Sequence, residues 1–208
     1  TGVLVGVAER RSVFGGFPDV VRDIDVDYRG RALYLSKFIA AVGAGLPVAQ
    51  AVGSMIVELG AGTSQAAVLS VGSLVCSSCR RQGGHEHNLV LGRHLRESYH
   101  LEAGPRSLEQ AKLALGLGAA VVEVRGKDVI RGLPACVRLR QGEYRELMLP
   151  EVARLVELML ATAEATPPEL LAQIMQNGAV LSGGVSQWAG LCETLAELSG
   201  IPCRLAEE

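Results

Sequence analysis

The stretch that most constrains this chain is Ile56-Val57-Glu58-Leu59-Gly60-Ala61-Gly62-Thr63-Ser64 and the apolar run Gln65 to Val71 behind it. It reads as a strand, a glycine turn and a second strand. The two glycines admit backbone angles closed to other residues. Thr63 and Ser64 add hydroxyls and amide N–H groups at the turn. A turn of this kind can aim several N–H groups at one anion, a common way of holding phosphate. An ordinary β-hairpin with a glycine turn carries the same signature, so spacing alone leaves both readings open.

The rest of the chain limits the setting. Its 208 residues suit one large or two small domains. Apolar residues make up 49% and aromatics only 4%, which favours closely packed α/β layers over an aromatic-rich sandwich. The net charge of −2 comes without a basic block, which argues against a nucleic-acid surface. Five cysteines and no signal sequence point to free thiols in a reducing cytoplasm. Cys76 and Cys79 lie in a strand-like run and face opposite ways, a poor chelate. His85 and His87 have no third ligand nearby and read as exposed or helix-start residues. The uncharged run Phe38 to Val57 is long enough to span a bilayer, but Gly43, Gly45, Pro47, Gln50, Gly53 and Ser54 interrupt it. It reads as a buried helix, a turn and a buried strand. Thr1 in place of a methionine is consistent with a fragment or a processed chain.

The predicted elements follow in order. Gly2 to Val7 and Ala32 to Leu35 are strand candidates, Glu9 to Phe14 a short helical start and Ser36 to Ala44 a small-residue helix ended by Gly45 and Pro47. After the opening stretch comes a third strand, Ser73 to Cys79. Helices are expected over His85 to Tyr99 and over Ser107 to Leu117, where Ser107 and Gln110 suggest a capping box. Strands are expected at Ala119 to Val124 and Ala135 to Leu139, with a loop from Gly126 to Pro134. The longest helix spans Glu143 to Ala165, with a wide apolar stripe for the core and Pro150 in its first turn. A short helix from Pro168 to Met175, a strand at Ala179 to Leu181, a tight turn at Ser182-Gly183-Gly184, a helix over Val185 to Leu198 and a strand at Cys203 to Leu205 complete the chain. A three-strand meander followed by alternating helices and strands is an α/β fold with a mixed sheet flanked by helices. The turn before Val185 would aim a helix N-terminus at whatever sits above the sheet.

Two glycine turns, Glu58-Leu59-Gly60-Ala61-Gly62-Thr63 and Leu181-Ser182-Gly183-Gly184-Val185-Ser186, together resemble the phosphate-2 and adenosine motifs of the actin, sugar-kinase and heat-shock-chaperone superfamily. The sequence is most similar to the MreB-like bacterial actins. That resemblance runs through Gly43-Ala44-Gly45-Leu46-Pro47-Val48, Gly53 to Val57, Arg106 to Lys112, Glu123 to Asp128, Gly132-Leu133-Pro134, Thr166 to Leu170 and Gly200-Ile201-Pro202, from about Ala40 onward.

The resemblance implies an actin-like, ribonuclease H-like second domain. Residues 49–80 and 145–208 would form its core, 81–144 a small outer α+β subdomain, and 1–48 a partial first domain and linker. It implies an ATP- or ADP-binding filament protein acting with Mg2+ in the cytoplasm beneath the membrane, where such filaments organise rod cell shape and wall synthesis. Its partners would be further copies of itself and membrane-associated cell-shape proteins. By the same resemblance Gly60, Ala61, Gly62 and Thr63 would meet the phosphates and Glu58 the magnesium hydration shell. Glu109, Lys112, Gly183, Gly184, Val185 and Ser186 would line the adenosine.

Four departures follow. Glu58 replaces a family aspartate, and Ala61 a family glycine. Ser36 stands where the family has a water-activating glutamate, and a neutral hydroxyl is a poor general base. The family's first phosphate loop and much of its first domain find no counterpart in this sequence. Hydrolysis is therefore expected to be impaired. The alternatives are a nucleotide-free structural adaptor and a small-molecule kinase of the same superfamily.

Overall fold

A computed structural model describes residues 41 and 43–206. The strands expected at Gly2 to Val7 and Ala32 to Leu35, the helical start at Glu9 to Phe14, most of the helix expected at Ser36 to Ala44, and Ser36 itself lie outside those residues. The end of that helix is visible: Ala41 and Gly43 are helical, Leu46 N–H donates to the Ala41 carbonyl at 3.0 Å, and Gly45 closes the turn at φ 68°.

A five-stranded mixed sheet carries the fold. β1 (Ser54–Leu59), β2 (Ser64–Ser70) and β3 (Ser73–Arg80) form an antiparallel meander. β7 (Ala179–Ser182) and β8 (Cys203–Leu205) add to the β1 edge in parallel, giving the order β3-β2-β1-β7-β8. β1 and β2 are almost wholly buried, so both faces are covered, as uninterrupted apolar strands require. On one face Met55, Val57, Leu59, Val68 and Leu181 pack on α3 (Gln141–Glu164), α4 (Pro168–Asn177) and α5 (Leu191–Ser199). On the other, Ile56, Ala67 and Leu69 meet Ala41, Val48 and Leu74. Leu74 and Cys76 reach opposite faces because Val75 is an extra residue in the β2–β3 ladder.

A second, three-stranded antiparallel sheet joins β4 (Leu101–Ala103), β5 (Val121–Asp128) and β6 (Pro134–Arg140) in that order. It packs with α1 (Gly84–Tyr99) and α2 (Pro105–Gly116) around Leu91, Leu95, Ala111, Leu115, Val124 and Leu139.

Several elements differ from the sequence reading. β4 was not expected, and β5 runs on through Gly126 where a loop was predicted. Gly126 serves close strand approach, since a side chain there would strike the Glu102 carbonyl. The connecting turn is shorter, with Asp128 Oδ1 accepting from the N–H groups of Ile130 (2.8 Å) and Arg131 (2.9 Å). α2 starts at Pro105 with Gly104 as its N-cap and no side-chain cap, so Ser107 and Gln110 do not form a capping box. The fixed φ of Pro105 suits the first helical position. α3 starts at Gln141, which places Pro150 in its interior. Pro150 and Glu146 are both exposed, so the carbonyl deprived of a partner faces outward rather than into the core. The helix expected over Val185 to Leu198 is two elements: a 3-10 turn at Gly184–Gln187 and α5, separated by Trp188 in extended geometry and Gly190 at φ 82°.

Candidate nucleotide pocket between two glycine turns

The first turn joins β1 to β2. Gly60 N–H donates to the Thr63 carbonyl at 2.9 Å, closing the loop. The Gly60 and Ala61 carbonyls then accept from Gly84 N–H (3.0 Å) and His85 N–H (2.7 Å) at the start of α1. The turn thus caps a helix that has no side-chain cap of its own. None of these bonds uses the N–H groups of Ala61, Gly62 or Thr63, so the turn's carbonyls are spent inward and its amides stay available. Gly83 must be glycine here, because a Cβ would strike the Gly60 carbonyl oxygen and lie 2.9 Å from the Ala61 carbonyl.

The second turn leaves β7. Gly183 sits at φ 90°, and a Cβ there would lie 2.5 Å from the Leu59 carbonyl oxygen. That clearance lets the second turn rest on the end of β1, beside the first. Ser186 is buried, and its hydroxyl donates to the Gly183 carbonyl at 2.6 Å, locking the turn.

Between the turns lies a pocket of about 260 Å3. Gly60, Ala61, Gly84, Gly184 and Val185 line it together with Glu109 and Lys112 from α2 and with Leu113, Gly116, Leu117, Tyr144, Gln187 and Trp188. Lys112 Nζ donates to Glu109 Oε2 at 2.7 Å and to the Gly84 carbonyl at 3.1 Å. Asn88 Nδ2 donates to the same Glu109 oxygen at 2.7 Å. The Asn88 hydrogen bond, followed by Lys112, holds the Glu109 carboxyl below its ordinary value. One carboxylate therefore fixes an ammonium beside the first glycine turn. His87, at 6% exposure, borders the same pocket. It lies in the first turn of α1, as a helix-start residue was expected to, but it is buried rather than exposed. Burial, with Lys112 nearby, lowers its pKa to about 4, so the ring is neutral at pH 7.

Of the residues singled out from the sequence, Gly60, Ala61, Glu109, Lys112, Gly184 and Val185 line this one pocket. Gly62 and Thr63 belong to the first turn without lining it. Gly183 and Ser186 shape the second turn from behind. Glu58 lies in register with Gln65 and Ser182 on the sheet face shared with Ile56, opposite the principal core. Sequence reading missed Gly84, His87, Tyr144, Gln187 and Trp188. Trp188 carried one signal: it is the only tryptophan in an aromatic-poor chain and follows the second glycine turn closely. All five cysteines are free thiols. Among the described residues no three His, Cys, Asp or Glu side chains converge. No helix among them is long and apolar enough to cross a membrane.

The fold matches two crystal structures of MreB5 of Spiroplasma citri. One, bound to AMPPNP, matches with a TM-score of 0.80 and 24% identity over 88% of this chain and 61% of that chain. The other, bound to ADP, matches with a TM-score of 0.79 and 22% identity over 99% and 69%. These likenesses define the class: an actin-like α/β protein. In sequence, residues 29–208 match the family described as MreB/Mbl protein. The cell shape-determining protein Mbl of Bacillus cereus is 34% identical over 185 residues, 86% of this chain and 56% of that protein. The cell shape-determining protein MreB of Escherichia coli is 34% identical over 174 residues, 81% and 50%. The chain belongs to the MreB/Mbl family. It spans about half the length of these relatives.

Proposed function

We propose that the chain is the nucleotide-holding part of an MreB-like cytoskeletal protein. It binds ATP or ADP in the pocket between its two glycine turns and assembles with further copies into filaments that serve cell shape and wall synthesis. The observation that carries this reading is the convergence of the Lys112–Glu109 pair and both turns on one pocket. The spare N–H groups of Ala61, Gly62 and Thr63 face the phosphates, while Glu109 and Lys112 fix the sugar. Gly184 and Val185, backed by Gly183 and Ser186, form the wall beside the adenosine. The MreB5 structures bound to AMPPNP and ADP support nucleotide as the ligand class.

Glu58 suits magnesium held mostly by phosphate oxygens and water, because one carboxylate is a usual protein share for that ion. Glu58, at the end of β1, would hold the water around such an ion, which would supply charge neutralisation to the phosphates. Hydrolysis by this chain is weak: the residue aligned with the family's base is Ser36, whose hydroxyl does not take a proton at pH 7.

The two sheets, each with its own core, support the division into a principal subdomain (49–80 with 145–208) and a small outer one (81–144), preceded by a partial first domain and linker (1–48). Cell-shape proteins at the cytoplasmic face of the membrane are the partners this assignment calls for.

Titration with a fluorescent ATP analogue and Mg2+ tests the reading. Saturable binding reversed by unlabelled ADP is expected. Absence of binding at millimolar nucleotide would sink it in favour of a structural role without nucleotide. Pelleting with and without ATP tests assembly, and a protein that stays monomeric at high concentration contradicts the filament part.

A further inference from the structure

His85 opens α1 against the first glycine turn. Its N–H donates to the Ala61 carbonyl at 2.7 Å, which fixes its backbone on that turn. Its ring lies beside Gly62, since a Cβ built there would sit 3.8 Å from His85 Cδ2. Cδ2 is bonded to Nε2, and turning the ring over puts Nδ1 in the place of Cδ2. Either orientation therefore brings a ring nitrogen to the Gly62 side. Ala61, Gly62 and His85 are all exposed, so this ring is open to a ligand.

The pocket wall includes Gly60 and Ala61, and the turn's spare amides continue past it to Gly62 and Thr63. A phosphate chain that follows those amides leaves the pocket at Gly62, where the His85 ring stands. Lys112, within the pocket, is already engaged by Glu109 and the Gly84 carbonyl. The charge of His85 also reaches into the pocket: after the Asn88 and Lys112 hydrogen bonds, it is a further cause that holds the Glu109 carboxyl low. Imidazole is the side chain that ordinarily changes charge between pH 5 and 8. Once protonated, its N–H donates to a phosphate oxygen as a charge-assisted hydrogen bond.

We propose that His85 contacts the phosphate chain where it leaves the pocket at Gly62, and that its protonated ring makes phosphate binding tighter as pH falls from 8 to 6. This rests on the nucleotide reading above and assigns a pH-sensing residue within it. The charged and titratable groups on the neighbouring elements are Glu109 and Lys112 on α2, Glu58 at the end of β1, Arg81 ahead of α1, and Glu86 and His87 on α1 itself. His87 is neutral throughout that range, with its pKa at about 4, and the Glu109 carboxyl, held low, stays ionised. The response between pH 6 and 8 therefore falls to His85.

Calorimetry on the full chain measures Mg-ADP and, separately, Mg-tripolyphosphate, which lacks a base, at pH 6 and pH 8. Wild type is compared with His85→Gln, neutral at both values, and with His85→Lys, charged at both. Comparing proteins at one pH cancels the ligand's own protonation. At pH 6 wild type is expected to bind both ligands roughly two- to fivefold more tightly than His85→Gln, the size of an exposed ion pair, and at pH 8 about equally. His85→Lys is expected to exceed wild type by the same margin at pH 8, so either variant alone decides the matter if the other fails to fold. Wild-type and variant affinities that run parallel with pH overturn the assignment and leave the nucleotide reading intact. So does an effect on ADP without one on tripolyphosphate, which would place His85 away from the phosphates. No ADP binding to wild type overturns both.

Discussion

Lys112 Nζ stands 2.7 Å from Glu109 Oε2, one helical turn away, and the same ammonium reaches the Gly84 carbonyl at 3.1 Å. On an exposed helix such an i, i+3 pair contributes little. Here the lysine side chain is only 12% exposed, and it ties α2 to the start of α1 beside the first glycine turn. Replacing Lys112 with Met is expected to weaken Mg-ADP binding roughly 10- to 100-fold, the range for a hydrogen bond to a charged group. Glu109→Gln, which can still accept from Lys112 and Asn88, should cost less. Calorimetry on both variants, with thermal melts to confirm folding, measures the order. Equal affinity in wild type and Lys112→Met would remove the lysine from the site.

Gly83 joins the nucleotide turn to α1, and a methyl group there meets the Gly60 and Ala61 backbone rather than a movable side chain. Gly83→Ala is therefore expected to destabilise the fold by roughly 1–3 kcal/mol, the usual range for overpacking. Its backbone at φ −173° is extended and open to any residue, so the effect is steric, not conformational. Denaturant unfolding measures it. A neutral result would mean that the turn and α1 can separate freely.

His87 gives stability a dependence on pH. Its pKa falls from 6.5 to about 4 on folding, through burial first and Lys112 second. Between those values the unfolded chain binds more protons than the folded one, so stability rises with pH across that window. The contribution is complete above about pH 6.5 and is lost as pH falls toward 4, by at most about 3 kcal/mol. Unfolding of wild type and His87→Phe between pH 4 and 7 should show a flatter profile in the variant. Parallel profiles would contradict the neutral, buried imidazole.

Much of this was legible in the chain because the strands are plain. Ser54 to Ser70 is apolar on both faces, and the glycines at 60 and 62 punctuate it, so the meander and the first turn follow from β propensity and turn chemistry. The pairing of that turn with Gly183 and Gly184 was legible only through family resemblance, since neither turn specifies the other locally. Elements set by tertiary contact were harder to read. Gly126 looked like a loop residue because close strand approach leaves no periodic signal. Trp188 fell within an expected helix because the break at Gly190 depends on one residue's positive φ. The burial of His87 was not legible because it comes in part from Trp188, distant in sequence.

The most direct test of the account is a crystal structure of the chain grown with Mg-ADP. The account predicts the diphosphate within hydrogen-bonding reach of the N–H groups of Ala61, Gly62 and Thr63, Lys112 and Glu109 beside the sugar, and the base beside Gly184 and Val185. A pocket without nucleotide at millimolar ADP, or nucleotide bound elsewhere on the molecule, would contradict it.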